Sequence, residues 1–332
     1  MNSKRNIAIV AGGDSSEAEV SLRSAKGLLS FIDTRKYELY LVFISHGKWQ
    51  VEIGEGTKIA IDKNDFSFIV GNKKINIDFA YITIHGRPGE DGRLQGYFDL
   101  VGIPYSCCGV LTSALTFNKY TCNRFLGSFG IAVADSIRLL RGDKIENKEV
   151  ENRLGLPVFV KPNDGGSSCG TFKVKSADGL QKAIEEAFKE GEEIIIERFM
   201  EGRELTCGAY QRSDKEIVLF PITEVISKNE FFDFAAKYQA DRVEEITPAE
   251  IGAEKTQEVK ELTRRIYKII DAKGIIRIDY IMSPQGLVQL LEVNTTPGMT
   301  ATSFIPQQIK AAGLDIREVM TEIIEKKFKK ID

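Results

Sequence analysis

The sequence predicts a protein of mixed α/β and α+β class, in which a doubly wound parallel sheet is followed by two α+β blocks. Two patterns support this prediction. Short apolar runs alternate with helical stretches up to about residue 105, which is typical of parallel strands covered by helices. Beyond that residue the alternation is less regular, and two strands form a hairpin near the end. We therefore expect three domains, at residues 1–105, 106–190 and 191–332.

In the first block, the apolar run at residues 6–10 predicts a buried strand. The other elements predicted there are a helix at 16–30, strands at 37–44 and 77–84, a helix at 94–101 and a short strand at 103–105. In doubly wound sheets, ligands gather at the carboxyl ends of the strands. Gly12-Gly13 and His85-Gly86 each follow a predicted strand directly, so we expect a binding site beside them.

The second and third blocks contain further strands and helices. The predicted elements are a helix at 112–127, strands at 156–161 and 171–175, a helix at 178–190, strands at 193–197 and 204–211, a helix at 254–271, strands at 275–281 and 287–293, and helices at 301–312 and 316–330. Ser283-Pro284-Gln285-Gly286 has the composition of a hairpin turn between the last two strands. Residues 227–245 show no clean period and are predicted as a long loop, which is often a functional segment.

Composition excludes several classes of protein. The chain is 42% hydrophobic and 28% charged, with a formal net charge of −3, so nothing favours binding to nucleic acid. Five cysteines form an odd number without a CxxC pair, which argues against disulfides and a zinc site. The sequence shows no signal peptide and no apolar run of membrane-spanning length. We therefore expect a cytoplasmic protein with free thiols and no membrane partner.

The segment KPNDGGSSCGT at residues 161–171 is rich in glycine and serine. Glycines allow backbone N–H groups to approach phosphate oxygens closely, and serines add further donors. A Walker A loop has its lysine late in the loop and a helix after it, whereas here the lysine comes first and a strand follows. The pattern predicts a hairpin whose tip covers phosphates, and a plain exposed hairpin loop is the alternative.

The last predicted hairpin carries closely spaced polar side chains. Glu292 and Asn294 are two residues apart and therefore share a face of one strand, as do Arg277 and Asp279 on the other. Pairing the strands brings Asp279 close to Glu292 and Asn294. Three oxygen ligands without histidine or cysteine suit Mg²⁺ or Mn²⁺. The alternative is a set of salt bridges between Arg277 and the carboxylates.

Six segments in order along nearly the whole chain carry a resemblance to a known family. They are AGGDSSEAEVS (11–21), HGRPGEDGRLQG (85–96), LPVFVKPNDGGSSCG (156–170), ERFMEGRELT (197–206), AKY (236–238) and RIDY with LLEVNTTPGMT (277–300). With these motifs the sequence resembles the D-alanine–D-alanine ligases of the ATP-grasp superfamily. The resemblance implies an ATP-grasp fold whose two α+β subdomains clamp ATP. It also implies ligation of two D-alanines through an acyl phosphate, for peptidoglycan synthesis.

The resemblance further implies roles for individual residues. The residues expected to bind ATP are Lys119, Lys161, Gly166, Ser167, Ser168, Glu197, Glu204 and Lys237. The residues expected to hold two Mg²⁺ or Mn²⁺ ions are Asp279, Glu292 and Asn294. The residues expected to bind the D-alanines or stabilise the developing oxyanion are Glu17, His85, Arg277, Gly298, Ser303 and Phe304. Ser167 and Tyr238 resemble a catalytic pair that ties the long loop to Glu17.

Several alternatives stay open from the sequence. Without the resemblance, Glu17 reads as an acid at a helix N-terminus, His85 as a buried strand-end histidine, and Ser303 as a helix-start residue. Another ATP-grasp ligase, such as a D-alanine–D-lactate ligase, is the nearest functional alternative, and Tyr238 argues against it. A nucleotide-binding module without catalysis and a dinucleotide oxidoreductase are more distant alternatives. Phe304 stands where many relatives carry leucine. The resemblance also suggests a homodimer.

Overall fold

A computed structural model describes residues 4–15, 17–54, 56–166, 169–227 and 243–328. Its strands are β1 (Arg5–Gly12), β2 (Tyr37–Ser45), β3 (Lys48–Ile53), β4 (Thr57–Ala60), β5 (Phe68–Val70), β6 (Lys73–Ile75), β7 (Phe79–Ile82), β8 (Ser136–Leu140), β9 (Val158–Pro162), β10 (Phe172–Val174), β11 (Glu193–Arg198), β12 (Arg203–Gln211), β13 (Ile217–Leu219), β14 (Thr223–Ser227), β15 (Val243–Ile246), β16 (Ile276–Met282) and β17 (Val288–Asn294). Its helices are α1 (Ala18–Phe31), α2 (Arg93–Val101), α3 (Val110–Phe117), α4 (Lys119–Ser128), α5 (Asn147–Leu154), α6 (Leu180–Ala187), α7 (Ala253–Ile269), α8 (Phe304–Ala311) and α9 (Ile316–Lys326).

The first sheet has the strand order β4-β3-β2-β1-β7, and β2, β1 and β7 run parallel as predicted. Both faces of β1 are buried. Ile7 and Ile9 belong to the core that includes α1, whereas Ala8 and Val10 belong to the core that includes α2. Because successive side chains point to opposite faces, a strand covered on both sides needs a continuous apolar run. Because β1 and β7 pair in parallel, their carboxyl ends lie at the same edge of the sheet.

The outer edge of this sheet differs from the prediction, because β3 and β4 are antiparallel additions. Ser45 pairs with Lys48, which leaves His46 and Gly47 as a two-residue hairpin loop. Both loop residues have positive φ angles, of 47° and 73°. Such tight turns join only antiparallel strands. The short predicted strand at 103–105 is reduced to one bridge between Ala80 and Tyr105.

The middle sheet has the order β10-β9-β11-β8 and is antiparallel throughout. Helices α5 and α6 cover one face of it with a separate apolar core. Strand β11 pairs with both β8 and β9, so the middle sheet continues past residue 190, where the sequence places a domain boundary. Strand β8 and helix α5 are absent from the sequence prediction.

The helix predicted at 112–127 is wrong as a single element, because the chain breaks into α3 and α4 at Asn118. Asn118 has an extended backbone, and its side chain accepts a hydrogen bond from the Thr121 N–H. This is the ordinary N-cap role of asparagine. The Lys119 N–H donates to the Asn163 carbonyl at 3.0 Å, which attaches the start of α4 to the glycine-rich loop.

The third sheet has the order β15-β14-β12-β16-β17, and β13 pairs with β12. Helix α7 packs on one face of this sheet, and α8 and α9 join the other face to the core around α1. The predicted hairpin is confirmed, because β16 and β17 pair antiparallel and the Gly286 N–H donates to the Ser283 carbonyl at 2.8 Å. Most of the long loop predicted at 227–245 lies outside the described residues. No helix within the described residues is long and apolar enough to cross a membrane.

Candidate active site

A cavity of about 750 Å³ lies where the three sheets meet. Its wall includes loops after β1 and β7, the start of α4, the glycine-rich loop, and the hairpin β16–β17 with the turn that follows it. All of the described residues to which the sequence assigns a role lie on this wall. They are Glu17, His85, Lys119, Lys161, Gly166, Glu197, Glu204, Arg277, Asp279, Glu292, Asn294, Gly298, Ser303 and Phe304.

The hairpin presents its polar side chains to the cavity through an irregularity in strand β17. Asp279 pairs with Glu292, but the next residue, Tyr280, pairs with Leu290, so Leu291 is an extra residue. Strict alternation from Leu290, which is buried, would also bury residue 292. The bulge shifts the alternation by one residue, so Val293 is buried while Glu292 and Asn294 line the cavity.

Four side chains form a connected polar group on this hairpin. The guanidinium of Arg277 donates to both carboxylate oxygens of Asp279, at 2.9 and 2.7 Å. The amide of Asn294 donates to Asp279 Oδ2 at 3.1 Å. Arg277 also lies 4.0 Å from Glu292 Oε1, and Lys119 Nζ lies 3.4 Å from Glu292 Oε2. The salt bridge that the sequence left open as an alternative is therefore present.

The same group fits a hard divalent cation. Asp279, Glu292 and Asn294 supply two carboxylates and an amide oxygen from neighbouring positions on one face of the sheet. Mg²⁺ and Mn²⁺ prefer such oxygen ligands, and Mg²⁺ completes its shell with water and substrate phosphates. Because a carboxylate oxygen has more than one lone pair, the hydrogen bonds from Arg277 leave Asp279 able to bind an ion as well.

The two cations beside these acids stay charged despite their burial. Burial lowers the pKa of Lys119, but the charge of Glu292 and a hydrogen bond with it outweigh this effect and raise the pKa overall. Burial likewise lowers the pKa of Arg277, and the charge and hydrogen bonds of Asp279 more than compensate, so the pKa is raised. A fixed positive charge at both positions suits the binding of phosphate and carboxylate groups.

The glycine-rich loop approaches the first domain closely. A Cβ atom at Gly166 would lie 2.5 Å from Glu17 Oε2, so a side chain at this position would displace the Glu17 carboxylate or the loop. Lys119 Nζ donates to the Gly165 carbonyl at 2.7 Å. Arg87 forms an ion pair with Asp164 at the base of the loop. The loop therefore contacts the first domain at Asp164 and Gly166, and it contacts helix α4 of its own domain at Gly165.

A second ion pair lies deeper in the middle domain. Lys161 Nζ donates to Glu197 Oε2 at 2.6 Å, and Asn123 donates to Glu197 Oε1 at 3.2 Å. Only 2% of the Glu197 side chain is exposed, and 12% of that of Lys161. Lys161 lies on β9 and Glu197 on β11, and these strands pair next to each other. Glu204 lies on the cavity wall as well, on β12.

The remaining polar groups surround the end of the cavity next to α1. His85 is 8% exposed, and its Nε2 lies 3.5 Å from Ser24 Oγ. Burial lowers the pKa of His85, although the charge of Glu17 acts in the opposite direction, so the imidazole is neutral at pH 7. Ser303 precedes α8, and its Oγ accepts from the Thr300 N–H at 3.1 Å. The Arg277 guanidinium lies 5.5 Å from the centre of the Phe304 ring.

Comparison with known proteins agrees with this geometry. Residues 6–108 match the model of the D-Ala–D-Ala ligase N-terminus, and residues 125–325 match that of the C-terminus. A D-alanine–D-alanine ligase of Phocaeicola vulgatus is 60% identical over 325 residues, which cover 98% of this chain and 100% of the relative. The chain belongs to the D-alanine–D-alanine ligase family. Its members use ATP and have the ATP-grasp fold, as the sequence predicts.

Solved structures of the same family superpose over almost the whole chain. D-alanyl-alanine synthetase A from Vibrio cholerae has a TM-score of 0.88 at 30% identity, with 98% of each chain covered. D-alanine–D-alanine ligase from Bacillus anthracis, solved as a complex with ATP, has a TM-score of 0.77 at 31% identity and again covers 98% of each chain. The sequence matches and the structural superpositions therefore identify the same family and the same fold.

Some site residues predicted from the sequence lie outside the described residues, and some residues at the site were not predicted from the sequence. Ser167, Ser168, Lys237 and Tyr238 are outside the described ranges, so their roles stay predictions. Sequence reasoning missed Glu90 and Thr296, which line the cavity, and Asn123, which donates to Glu197. It also missed Arg87 and Asp164, which form the ion pair at the base of the glycine-rich loop. Most of them fall inside the quoted family motifs, which gave a signal for the segment but not for the contact that each side chain makes.

Proposed function

We propose that this protein joins two molecules of D-alanine to D-alanyl-D-alanine at the expense of ATP, for peptidoglycan synthesis. The observation that carries the proposal is the shared cavity that contains Glu17, His85, Arg277, Ser303 and the hairpin acids together. An ammonium group, two carboxylates and a triphosphate are the groups that such a lining complements. Family membership over 98% of the chain supports the same reaction.

The first step forms an acyl phosphate. A carboxylate oxygen of the first D-alanine attacks the γ-phosphorus of ATP, and ADP leaves. Glu17 holds the ammonium of this D-alanine, while Lys119 and Lys161 balance the charge of the phosphates. Gly166 brings the backbone of the glycine-rich loop next to Glu17, so the loop covers the reacting groups and excludes water. Glu197 and Glu204 bind the adenosine part, whose ribose hydroxyls can donate to carboxylates.

Asp279, Glu292 and Asn294 are the residues that would hold two Mg²⁺ or Mn²⁺ ions. Such ions supply neutralisation of the phosphoryl oxygens when they are bound. Arg277 orients Asp279 through two hydrogen bonds, and Lys119 places its positive charge 3.4 Å from Glu292 Oε2. The chain thereby fixes the ligand oxygens before any substrate arrives.

The second step forms the peptide bond. The amine of the second D-alanine attacks the acyl carbon, and phosphate leaves with the oxygen that bridged carbon and phosphorus. The ammonium protons not retained in the amide pass to phosphate and solvent. Arg277 and the Gly298 N–H stabilise the tetrahedral oxyanion, and each such donor is worth roughly 10²–10³ in rate. Ser303 and the first turn of α8, with the Phe304 backbone, receive the second carboxylate, since a helix N-terminus favours an anion.

The test is phosphate release from ATP in the presence of Mg²⁺ and D-alanine, with the product identified by mass. Controls replace D-alanine by L-alanine, omit Mg²⁺ with EDTA, and offer D-lactate or D-serine with D-alanine. We expect a metal-dependent, D-specific dipeptide. Release with another amino acid or hydroxy acid only would keep the ATP-grasp chemistry and overturn the substrate.

We also propose the arrangement of the whole chain. Three domains are supported by the three main sheets, with the second boundary after β11 rather than at residue 190, because β11 completes the middle sheet.

A homodimer is supported by exposed apolar side chains on the neighbouring helices α2 and α3, where Leu100 is 89% and Leu111 is 80% exposed. A cytoplasmic location fits substrates that include ATP. Light scattering at several concentrations tests the dimer, and Leu111→Lys is expected to weaken it.

A further inference from the structure

Glu90 lines the cavity but has no role in the reaction proposed above. It follows β7 in the loop that contains His85 and Gly86. Its Oε2 accepts a hydrogen bond from the Gly86 N–H at 2.7 Å, and its Oε1 accepts one from the Thr296 hydroxyl at 2.7 Å. The first bond stays within the loop of the first domain. The second crosses to the turn after β17, which carries Gly298.

That turn is attached to the first domain on both sides of Gly298. Thr296 lies two residues before it and is 4% exposed. Met299 lies one residue after it, and its N–H donates to Ser24 Oγ at 3.1 Å. Ser24 belongs to α1 and lies within 3.5 Å of His85 Nε2. The Gly298 N–H therefore lies between two anchors that both lead to the first domain, and one of these anchors is Glu90.

The loop around Glu90 is itself rigid. The N–H groups of Gly89 and Glu90 both donate to the Gly86 carbonyl, at 2.9 Å. The buried amide of Gln95 donates to the Gly89 carbonyl at 2.6 Å. A Cβ atom at Gly89 would collide with Ile84, so the loop packs closely against its own strand end. A rigid loop can transmit the position of the first domain to the turn through one hydrogen bond.

We infer that Glu90 is a positioning residue, which fixes the Gly298 turn relative to the His85 loop through its hydrogen bond with Thr296. The inference rests on the proposed function, in which the Gly298 N–H stabilises the oxyanion. A donor of this kind acts only at the correct distance from the developing charge, and a displacement of about 1 Å costs about 10²-fold in rate. Both partners of Glu90 are donors in the structure, and each of its two carboxyl oxygens accepts one of the two hydrogen bonds.

The experiment is a double-mutant cycle with Glu90→Ala, Thr296→Val and the two changes combined. Thr296→Val removes the hydroxyl at nearly constant volume, and Thr296→Ser and Glu90→Gln are the conservative variants. In Glu90→Gln, the new side-chain amide would accept from the Gly86 N–H and donate to the Thr296 hydroxyl oxygen. That hydroxyl would then donate to the Ile84 carbonyl, 3.4 Å away. Dipeptide formation, the KM for ATP and thermal unfolding are measured for every variant, with wild type in parallel.

We expect each disruptive single variant to lower kcat by about 10–10²-fold, the double variant to be no worse than the poorer single one, and the KM for ATP to change less than about twofold. Glu90→Gln and Thr296→Ser are expected to retain most of the activity. A merely structural role would lower the unfolding temperature without this selective loss of kcat or its rescue. Effects that multiply in the double variant, or single variants with wild-type kcat, overturn the inference. Absence of dipeptide with wild type instead overturns the proposed function.

Discussion

The hairpin β16–β17 and the glycine-rich loop border the same cavity, but they are positioned in different ways. In the hairpin, Asp279, Glu292 and Asn294 are brought together by the register of two neighbouring strands. The loop takes its place from contacts with residues far away in sequence, namely Glu17, Arg87 and Lys119. The comparison teaches that the register of paired strands positions the candidate metal-binding side chains locally. The position of the glycine-rich loop instead depends on contacts with residues distant in sequence.

The largest effect is expected from Glu292→Gln, which changes the hairpin. The substitution removes one of two carboxylates in the proposed metal site and the charge partner of Lys119, 3.4 Å away. We expect dipeptide formation to fall by at least about 10³-fold, because phosphoryl transfer depends on this electrostatic clamp. Glu258→Gln on the exposed side of α7 makes the same chemical change far from the cavity and should have no effect. Near-normal turnover by Glu292→Gln, with an unchanged unfolding temperature, would contradict the metal assignment.

The second-largest effect is expected from Gly166→Ala, which changes the glycine-rich loop. In Gly166→Ala, the new methyl group would lie 2.5 Å from Glu17 Oε2, so the Glu17 carboxylate or the loop must shift, and either shift disturbs the site for the ammonium of the first D-alanine. We expect kcat/KM for D-alanine to fall by about 10²-fold, while ATP binding by Lys161 and Glu197 is largely kept. Steady-state kinetics with each substrate varied measures both quantities.

Gly179→Ala is the matched control for this variant. Gly179 has an ordinary helical φ of −84°, and a Cβ atom there meets its nearest neighbour, Val174, at 3.6 Å. The control should leave the kinetics unchanged. If Gly166→Ala were as active as the control, the approach of loop and Glu17 would have no importance for catalysis.

A smaller effect is expected from Asp164→Asn, which breaks the ion pair with Arg87 at the base of the loop. Arg87 is half exposed, and exposed ion pairs contribute little, about 0–1 kcal/mol. We expect a loss of at most about fivefold in kcat/KM, which corresponds to about 1 kcal/mol and becomes smaller at high salt because the wild-type contact is itself screened. Asp178→Asn, in an exposed turn, is the control. A loss that does not depend on salt would assign Asp164 another role.

The last effect is on stability rather than on activity, and it concerns the contact of Glu90 between the first domain and the turn after β17. Burial, and next the charge of Glu17, raise the pKa of Glu90 to about 7, although Lys119 and the Gly86 and Thr296 donors lower it. Arg277 and His85 are the other ionisable groups nearby on the cavity wall. At pH values between the ordinary pKa of glutamate and 7, the Glu90 carboxyl group stays protonated in the folded protein but loses its proton in the unfolded chain. This contribution to stability is therefore lost as the pH rises through 7.

Glu90→Gln removes this dependence on pH. We expect the unfolding free energy of the variant, relative to wild type, to rise between pH 5 and pH 8 by at most about 3 kcal/mol. Urea unfolding at several pH values measures the difference. A difference that stays constant with pH would show that Glu90 is ionised throughout this range.

Sequence reasoning could locate the hairpin site because its determinants are short-range. Two-residue spacing and a turn between the strands placed Asp279 near Glu292 without further knowledge. The bulge at Leu291 was not predicted, and only the pairing register reveals it. The side-chain partners of Glu90 and Asp164 could not be predicted either, because Thr296 and Arg87 are 206 and 77 residues away from them in sequence. The break at Asn118 was missed because a helical pattern continues on both sides of it.

The measurement that tests the central claim most directly uses D-alanine labelled with ¹⁸O in its carboxylate. If the carboxylate attacks ATP and phosphate then leaves the acyl carbon, one labelled oxygen must move from D-alanine to each released phosphate. Mass spectrometry of phosphate and dipeptide from one reaction gives the ratio. We predict one ¹⁸O in phosphate for every D-alanyl-D-alanine formed. Phosphate without the label would contradict the acyl-phosphate reaction in this cavity.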